Sequence, residues 1–156
     1  MEESGTIIIS TSVELLSQLE ADPPAGLQAL AQSAGVSGKP FRRLSIDQVE
    51  RHGDYVKLSY DCSEGVNVSI AFVSKGSGIE YYARHSDEYG TYSFYALTAS
   101  GIKHGFQIDA GGDAMEYDDY VDEIAGKLDA WKQAIPDAVK QVFPDFADAD
   151  MGDYCF

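Results

Sequence analysis

Residues 117–135 read YDDYVDEIAGKLDAWKQAI, and the spacing of their apolar members decides the fold. Tyr117, Val121, Ile124, Leu128, Trp131 and Ile135 step by four, three, four, three and four residues, which places them on one stripe of an α-helix. Upstream, Ala110-Gly111-Gly112 breaks any regular element and Asp113 is a suitable N-cap, so the pattern predicts a long helix over 113–135 that Pro136 interrupts. A shorter helical turn follows through Val139 to Phe143, and Pro144 opens an acidic tail, giving a short helix and tail over 136–156. A stripe of this width needs a second layer to bury against.

That layer is predicted in the preceding residues, 41–109, where the apolar period shifts from near 3.6 to near 2. Val56, Leu58 and Tyr60 alternate with Tyr55, Lys57 and Ser59. Beyond the Ser63-Glu64-Gly65 turn, Val66, Val68, Ile70 and Phe72 alternate with Asn67, Ser69 and Ala71, as in a sheet with one buried and one wetter face. After the Lys75-Gly76-Ser77-Gly78 turn, strands near 79–84 and 91–98 flank a loop from His85 to Gly90. Ser100-Gly101 precedes a last strand near 102–108.

Two short helices are predicted before the sheet, in a helical cap over 11–35. Thr11-Ser12-Val13-Glu14 has the form of a capping box, and Val13, Leu15, Leu16 and Leu19 supply the first apolar stripe before Asp22-Pro23-Pro24. Leu27, Leu30, Ala31 and Ala34 supply the second, closed by Gly35. The expected fold is α+β: an antiparallel β-meander of five to six strands, preceded by two short helices and packed against a long C-terminal helix. At 156 residues one globular domain, 1–156, is the expectation.

Charge is unevenly spread. Residues 106–156 carry thirteen Asp/Glu against three Lys, a net −10 of the total −15. Salt adaptation would spread acids over the whole chain, so a local acidic surface is favoured. There is no basic leader before the first apolar residues and no run of about 18 apolar residues, which points to a soluble, cytoplasmic protein with no membrane partner. Cys62 and Cys155 are expected as free thiols in a reducing compartment.

The search for catalytic and metal chemistry is mostly negative, and no cofactor is expected. Arg84-His85-Ser86-Asp87 groups three residue types of a hydrolytic triad, but triads draw their members from separate elements. His52 and His104 lack zinc-ligand spacing. Asp148 to Asp153 departs from a calcium loop in its glycine position and lacks the closing Glu, and Asp109, Asp113 and Glu116 are explained by a helix N-terminus. Lys75-Gly76-Ser77-Gly78 lacks the end of a phosphate-binding loop. Net charge opposes direct nucleic-acid binding, and the one basic cluster, Lys39 to Arg43, reads as a loop balanced by the protein's own acids.

The acidic residues of the long helix are the better candidates. Glu116, Asp118, Asp119, Asp122, Glu123 and Asp129 fall off the apolar stripe. Asp113 to Asp129 has seven acids and Lys127, a net −6 over about 25 Å at about 1.5 Å per residue. One charge per about 4 Å resembles a single nucleic-acid strand (about 3.4 Å) more than a duplex (about 1.7 Å). Tyrosine is enriched at interface centres, and Tyr82, Tyr89, Tyr95 and Tyr120 are expected at the surface, while Tyr81, Tyr92 and Tyr117 are assigned to the core.

The expected function is a non-enzymatic acidic binding protein, antitoxin-like, that neutralises a basic protein partner such as a toxin, nuclease or nucleic-acid-binding protein. In size and composition the chain is similar to small acidic immunity proteins and phage-type inhibitors. The partner-binding set is Glu116, Asp118, Asp119, Tyr120, Asp122, Glu123, Asp129, Tyr82, Tyr89 and Tyr95, on a monomer or small homo-oligomer. Two alternatives stand beside it: an acidic homodimeric chaperone for an exported substrate, and a small enzyme with a pocket between sheet and helix.

Overall fold

The computed structural model describes residues 3–33, 35, 45–62, 79–109 and 118–148. Its first element is β1 (Glu3–Ser10), in which Ile7, Ile8 and Ile9 are all buried. Three consecutive buried side chains in a strand point to alternate faces, so both faces of β1 must be covered. Helical layers on both sheet faces satisfy this, and the sheet order places β1 in the interior. With β2 (Ser45–His52), β3 (Tyr55–Cys62), β4 (Glu80–Asp87), β5 (Thr91–Leu97) and β6 (Lys103–Asp109), the six strands run β2-β3-β1-β4-β5-β6, all neighbours antiparallel.

This corrects the expected meander. A strand precedes the first helices, and β3 and β4 pair with β1 rather than with each other. The alternating stretch at Val66 to Phe72 and the turn at Lys75 to Gly78 lie outside the described residues. The loop expected from His85 to Gly90 shrinks to a turn at Glu88, Tyr89 and Gly90. The Asp87 carboxylate accepts from the main-chain N–H groups of Tyr89 and Thr91, both at 2.9 Å, and Gly90 takes the positive φ of 82° that closes the hairpin.

α1 (Val13–Ala21) starts one residue later than a Thr11 capping box predicts: Ser12 is the N-cap and its hydroxyl accepts from Leu15 N–H. Leu16 and Leu19 are buried, whereas Val13, expected on that stripe, is 67% exposed. Asp22 then joins α1 directly to α2 (Pro23–Ser33), whose paired prolines occupy the first turn, where their missing N–H groups cost nothing. The two backbones touch at Gly26, where an added Cβ would lie 2.7 Å from the Leu19 Cα and N.

α1 and α2 cover one sheet face, closing a core of Ile7, Ile9, Leu16, Leu19, Leu27, Leu30, Val56, Leu58, Tyr81 and Leu97. The other face carries Ile8, Tyr82, Phe94, Ala96 and Ile108. It is covered by α3 (Asp118–Ala134) and α4 (Asp137–Val142). The predicted stripe is the contact: Ile124, Leu128, Trp131 and Ile135 are all buried. The architecture is α+β, a six-stranded antiparallel sheet with helices on both faces, four helices among the described residues. None of these helices is long and apolar enough to cross a membrane.

Candidate functional site

On α3, Asp122, Glu123 and Asp129 are exposed, opposite the stripe that holds the helix to the sheet. Lys127 forms an i,i+4 pair with Glu123 at 3.2 Å on the same surface, an exposed contact of about 0.3–0.5 kcal/mol. Asp118, Asp119 and Tyr120 belong to α3, but their side chains lie outside the described residues, as does Glu116.

The tyrosines divide differently from the sequence reading. Tyr89, at the β4–β5 turn, is 69% exposed. Tyr82 and Tyr95 are buried, which corrects their expected surface position. The cause is the second helical layer: the expectation assumed one wet sheet face, whereas helices cover both, so neighbours such as Tyr81 and Tyr82, or Phe94 and Tyr95, are buried in opposite directions.

Tyr82 finds its polar partner in Glu80, two residues away on the same face, donating to the carboxylate at 2.9 Å. Tyr55 donates to the same carboxylate at 3.3 Å. Burial, reinforced by the Glu80 charge and hydrogen bond, pushes Tyr55 up to about 12 and raises Tyr82 as well. Both remain neutral donors at physiological pH.

The Arg84 to Asp87 stretch lies in β4, where alternation sends His85 to the α1/α2 face and Arg84 and Ser86 to the other. His85 is buried and bonded through Nδ1 to the Tyr60 hydroxyl. Gly5 pairs with Tyr60 on one side and with His85 on the other, so this bond crosses directly over β1. An added Cβ at Gly5 would sit 2.8 Å from His85 Nδ1 and 3.1 Å from the Tyr60 hydroxyl, so glycine makes the crossing possible. Desolvation pushes His85 down to about 3, and it is neutral near pH 7. His85 and Ser86 therefore cannot converge on one reacting centre. His52 is exposed and packs edge-on against Phe143 at 5.2 Å.

One feature with no counterpart in the sequence reading is a polar cleft of about 620 Å³ on the α3 side of the sheet. Ser4 and Thr6 of β1, Ser59 and Asp61 of β3, and Arg84 and Ser86 of β4 supply its floor, one alternate face of three adjacent strands. Asp47 and Asp148 border it. Arg84 donates through Nη1 to the carbonyl oxygens of Phe146 at 2.9 Å and Asp145 at 3.4 Å, which ties the segment after α4 to the cleft wall. Asp47 is the extra residue of a β-bulge: Ile46 pairs with Tyr60 and Gln48 with Ser59, leaving Asp47 unopposed. The bulge lets Ile46 and Val49, three apart, both pack on the core face. Among the described residues, no group of three or more His, Cys, Asp or Glu could hold a metal ion.

No family model, no curated protein and no solved structure matches the chain.

Proposed function

We propose that the protein is a non-enzymatic binding module that engages a basic protein partner through the acidic outer face of α3, in the manner of a small inhibitor or immunity protein. One observation carries this reading: Asp122, Glu123 and Asp129 are exposed on a helix whose opposite side is anchored by Ile124, Leu128, Trp131 and Ile135. Carboxylates on an anchored helix present a fixed negative field, and such a field steers a basic partner and sets register during encounter. The net charge of −15, with −10 in residues 106–156, supplies the long-range part of that attraction. The reading places the protein in the cytoplasm, with a toxin, nuclease or nucleic-acid-binding protein as the class of target.

The test compares immobilised wild-type protein with the Asp122→Asn, Glu123→Gln, Asp129→Asn triple variant in pull-downs from source lysate at low salt and at roughly 0.5 M salt, where screening shortens to a few ångström. Wild-type protein should retain a basic protein at low salt, and both the variant and high salt should release it. An identical retained set for the two proteins would rule out α3 as the interface.

A further inference from the structure

The cleft over β3, β1 and β4 is separate from the acidic face of α3 and has its own recognition chemistry. Its volume of about 620 Å³ lies within the range of small-ligand sites, but its lining is unlike an ordinary apolar pocket. Hydroxyls of Ser4, Thr6, Ser59 and Ser86 offer acceptor oxygens along the floor. Carboxylates reach it from three separate places in the chain: the β2 bulge at Asp47, the end of β3 at Asp61 and the segment after α4 at Asp148. Arg84, the cationic side chain among its described lining residues, has Nη1 engaged by the Asp145 and Phe146 carbonyls at the cleft wall.

We infer that this cleft recognises an organic cation, a guanidinium or ammonium group carried either by a small molecule or by a basic side chain of the partner. Two features separate such a group from a metal ion. The described carboxylates form no cluster able to hold a metal, and the cleft, at about 620 Å³, is far larger than an ion needs. A planar or tetrahedral N–H donor with an alkyl stem suits both the volume and the dispersed acceptors. Half-buried Tyr92 gives the stem an aromatic wall. The side-chain source rests on the reading of a basic partner, whereas the free-cation source does not.

Agmatine, which carries a guanidinium and an ammonium and no carboxylate, is the probe. It is titrated into the full chain at about 0.15 M salt, where charges more than about 8 Å away are largely screened, with amide shifts followed at Ser4, Thr6, Ser59 and Ser86 and, for comparison, at Asp122, Glu123 and Asp129. Saturable shifts are expected at the first set alone. Asp47→Asn combined with Asp148→Asn, both exposed positions, should weaken binding at least about tenfold while the melting temperature holds. The α3 triple variant should change it by less than about twofold, since its charges act only through the screened long-range field. A tetra-arginine peptide that displaces agmatine from the cleft and binds more tightly identifies a side-chain ligand. Agmatine binding that the peptide leaves intact identifies a small molecule. Shifts that fail to saturate, or equal weakening by the cleft and α3 variants, would overturn the proposal. Because agmatine binding is read at the cleft without any partner, a failed lysate experiment and a failed titration are separable.

Discussion

The indole N–H of Trp131 donates to the main-chain carbonyl of Tyr95 at 2.9 Å, tying α3 to β5 across the boundary between two layers. Around this bond Trp131 packs edge-on against Phe94 at 5.0 Å and tilted against Phe146 at 5.5 Å. One fully buried side chain therefore fixes α3 and the segment after α4 on the same sheet face.

Trp131→Phe should cost about 1–3 kcal/mol, because it removes a buried donor while keeping most of the aromatic contact. Trp131→Ala should cost about 3–5 kcal/mol, and Ile124→Ala or Leu128→Ala about 2–5 kcal/mol each, because each opens a cavity between helix and sheet. Denaturant melts check all four variants. A loss under about 1 kcal/mol at both Ile124 and Leu128 would show that α3 is peripheral to stability.

Gly26 and Gly126 should respond to alanine with opposite signs. Both sit in helices, where replacing glycine gains up to about 1 kcal/mol of helix propensity. At Gly126 nothing lies within 4 Å of the added Cβ, so that gain should appear almost whole. At Gly26 the methyl would meet the α1 backbone at 2.7 Å, and parting two packed helices costs about 1–3 kcal/mol, which exceeds the propensity gain. Paired thermal melts decide the matter. A stabilised Gly26→Ala would mean that α2 can slide on α1.

What was legible in the sequence and what was not both trace to the same sheet. The stripe from Ile124 to Ile135 was readable because one face of α3 is wet and the other dry, so its pattern is periodic. β1 was not readable: Ile7, Ile8 and Ile9 show no alternation because helices cover both faces. That missed second layer also misplaced Tyr82 and Tyr95. The cleft could not be seen at all, because Ser4, Thr6, Ser59, Asp61, Arg84 and Ser86 are distant in sequence and meet only when β1 enters between β3 and β4. The one local signal was Ile46-Asp47-Gln48-Val49, two core residues at a spacing that a regular strand cannot bury together.

His85 should give stability an acid-sensitive component. Burial pushes it down to about 3 from an ordinary 6.5, so between those values the unfolded chain binds a proton that the folded chain does not. Its contribution is complete above about pH 6.5, declines as pH falls through that interval by at most about 1.4 kcal/mol per pH unit, and levels off below about 3. His85→Gln keeps a hydrogen-bonding partner for the Tyr60 hydroxyl, since its amide can donate or accept, and removes the titration. Urea melts of both proteins at about pH 7, 5.5 and 4 should show the wild type losing stability more steeply. Parallel curves would mean that His85 is not desolvated in solution.

The acidic face of α3 should act on encounter rather than on folding. Asp122, Glu123 and Asp129 are exposed, and the one ion pair seen among them, Glu123 with Lys127, is worth about 0.3–0.5 kcal/mol. The triple variant Asp122→Asn, Glu123→Gln, Asp129→Asn should therefore melt within a few degrees of wild type. Against the basic protein retained in the pull-down, it should associate about tenfold or more slowly at low salt, because steering acts through the field before contact is made. Its association rate should also depend less steeply on ionic strength. A faster dissociation would mark a carboxylate that is desolvated in the complex, where losing one partner of a charge pair costs about 2 kcal/mol or more. Stopped-flow traces at two ionic strengths separate the two effects. If association rate and salt slope match wild type, the acidic face serves only to keep the protein dispersed, and the contact surface should be sought at the exposed Tyr89 of the β4–β5 turn.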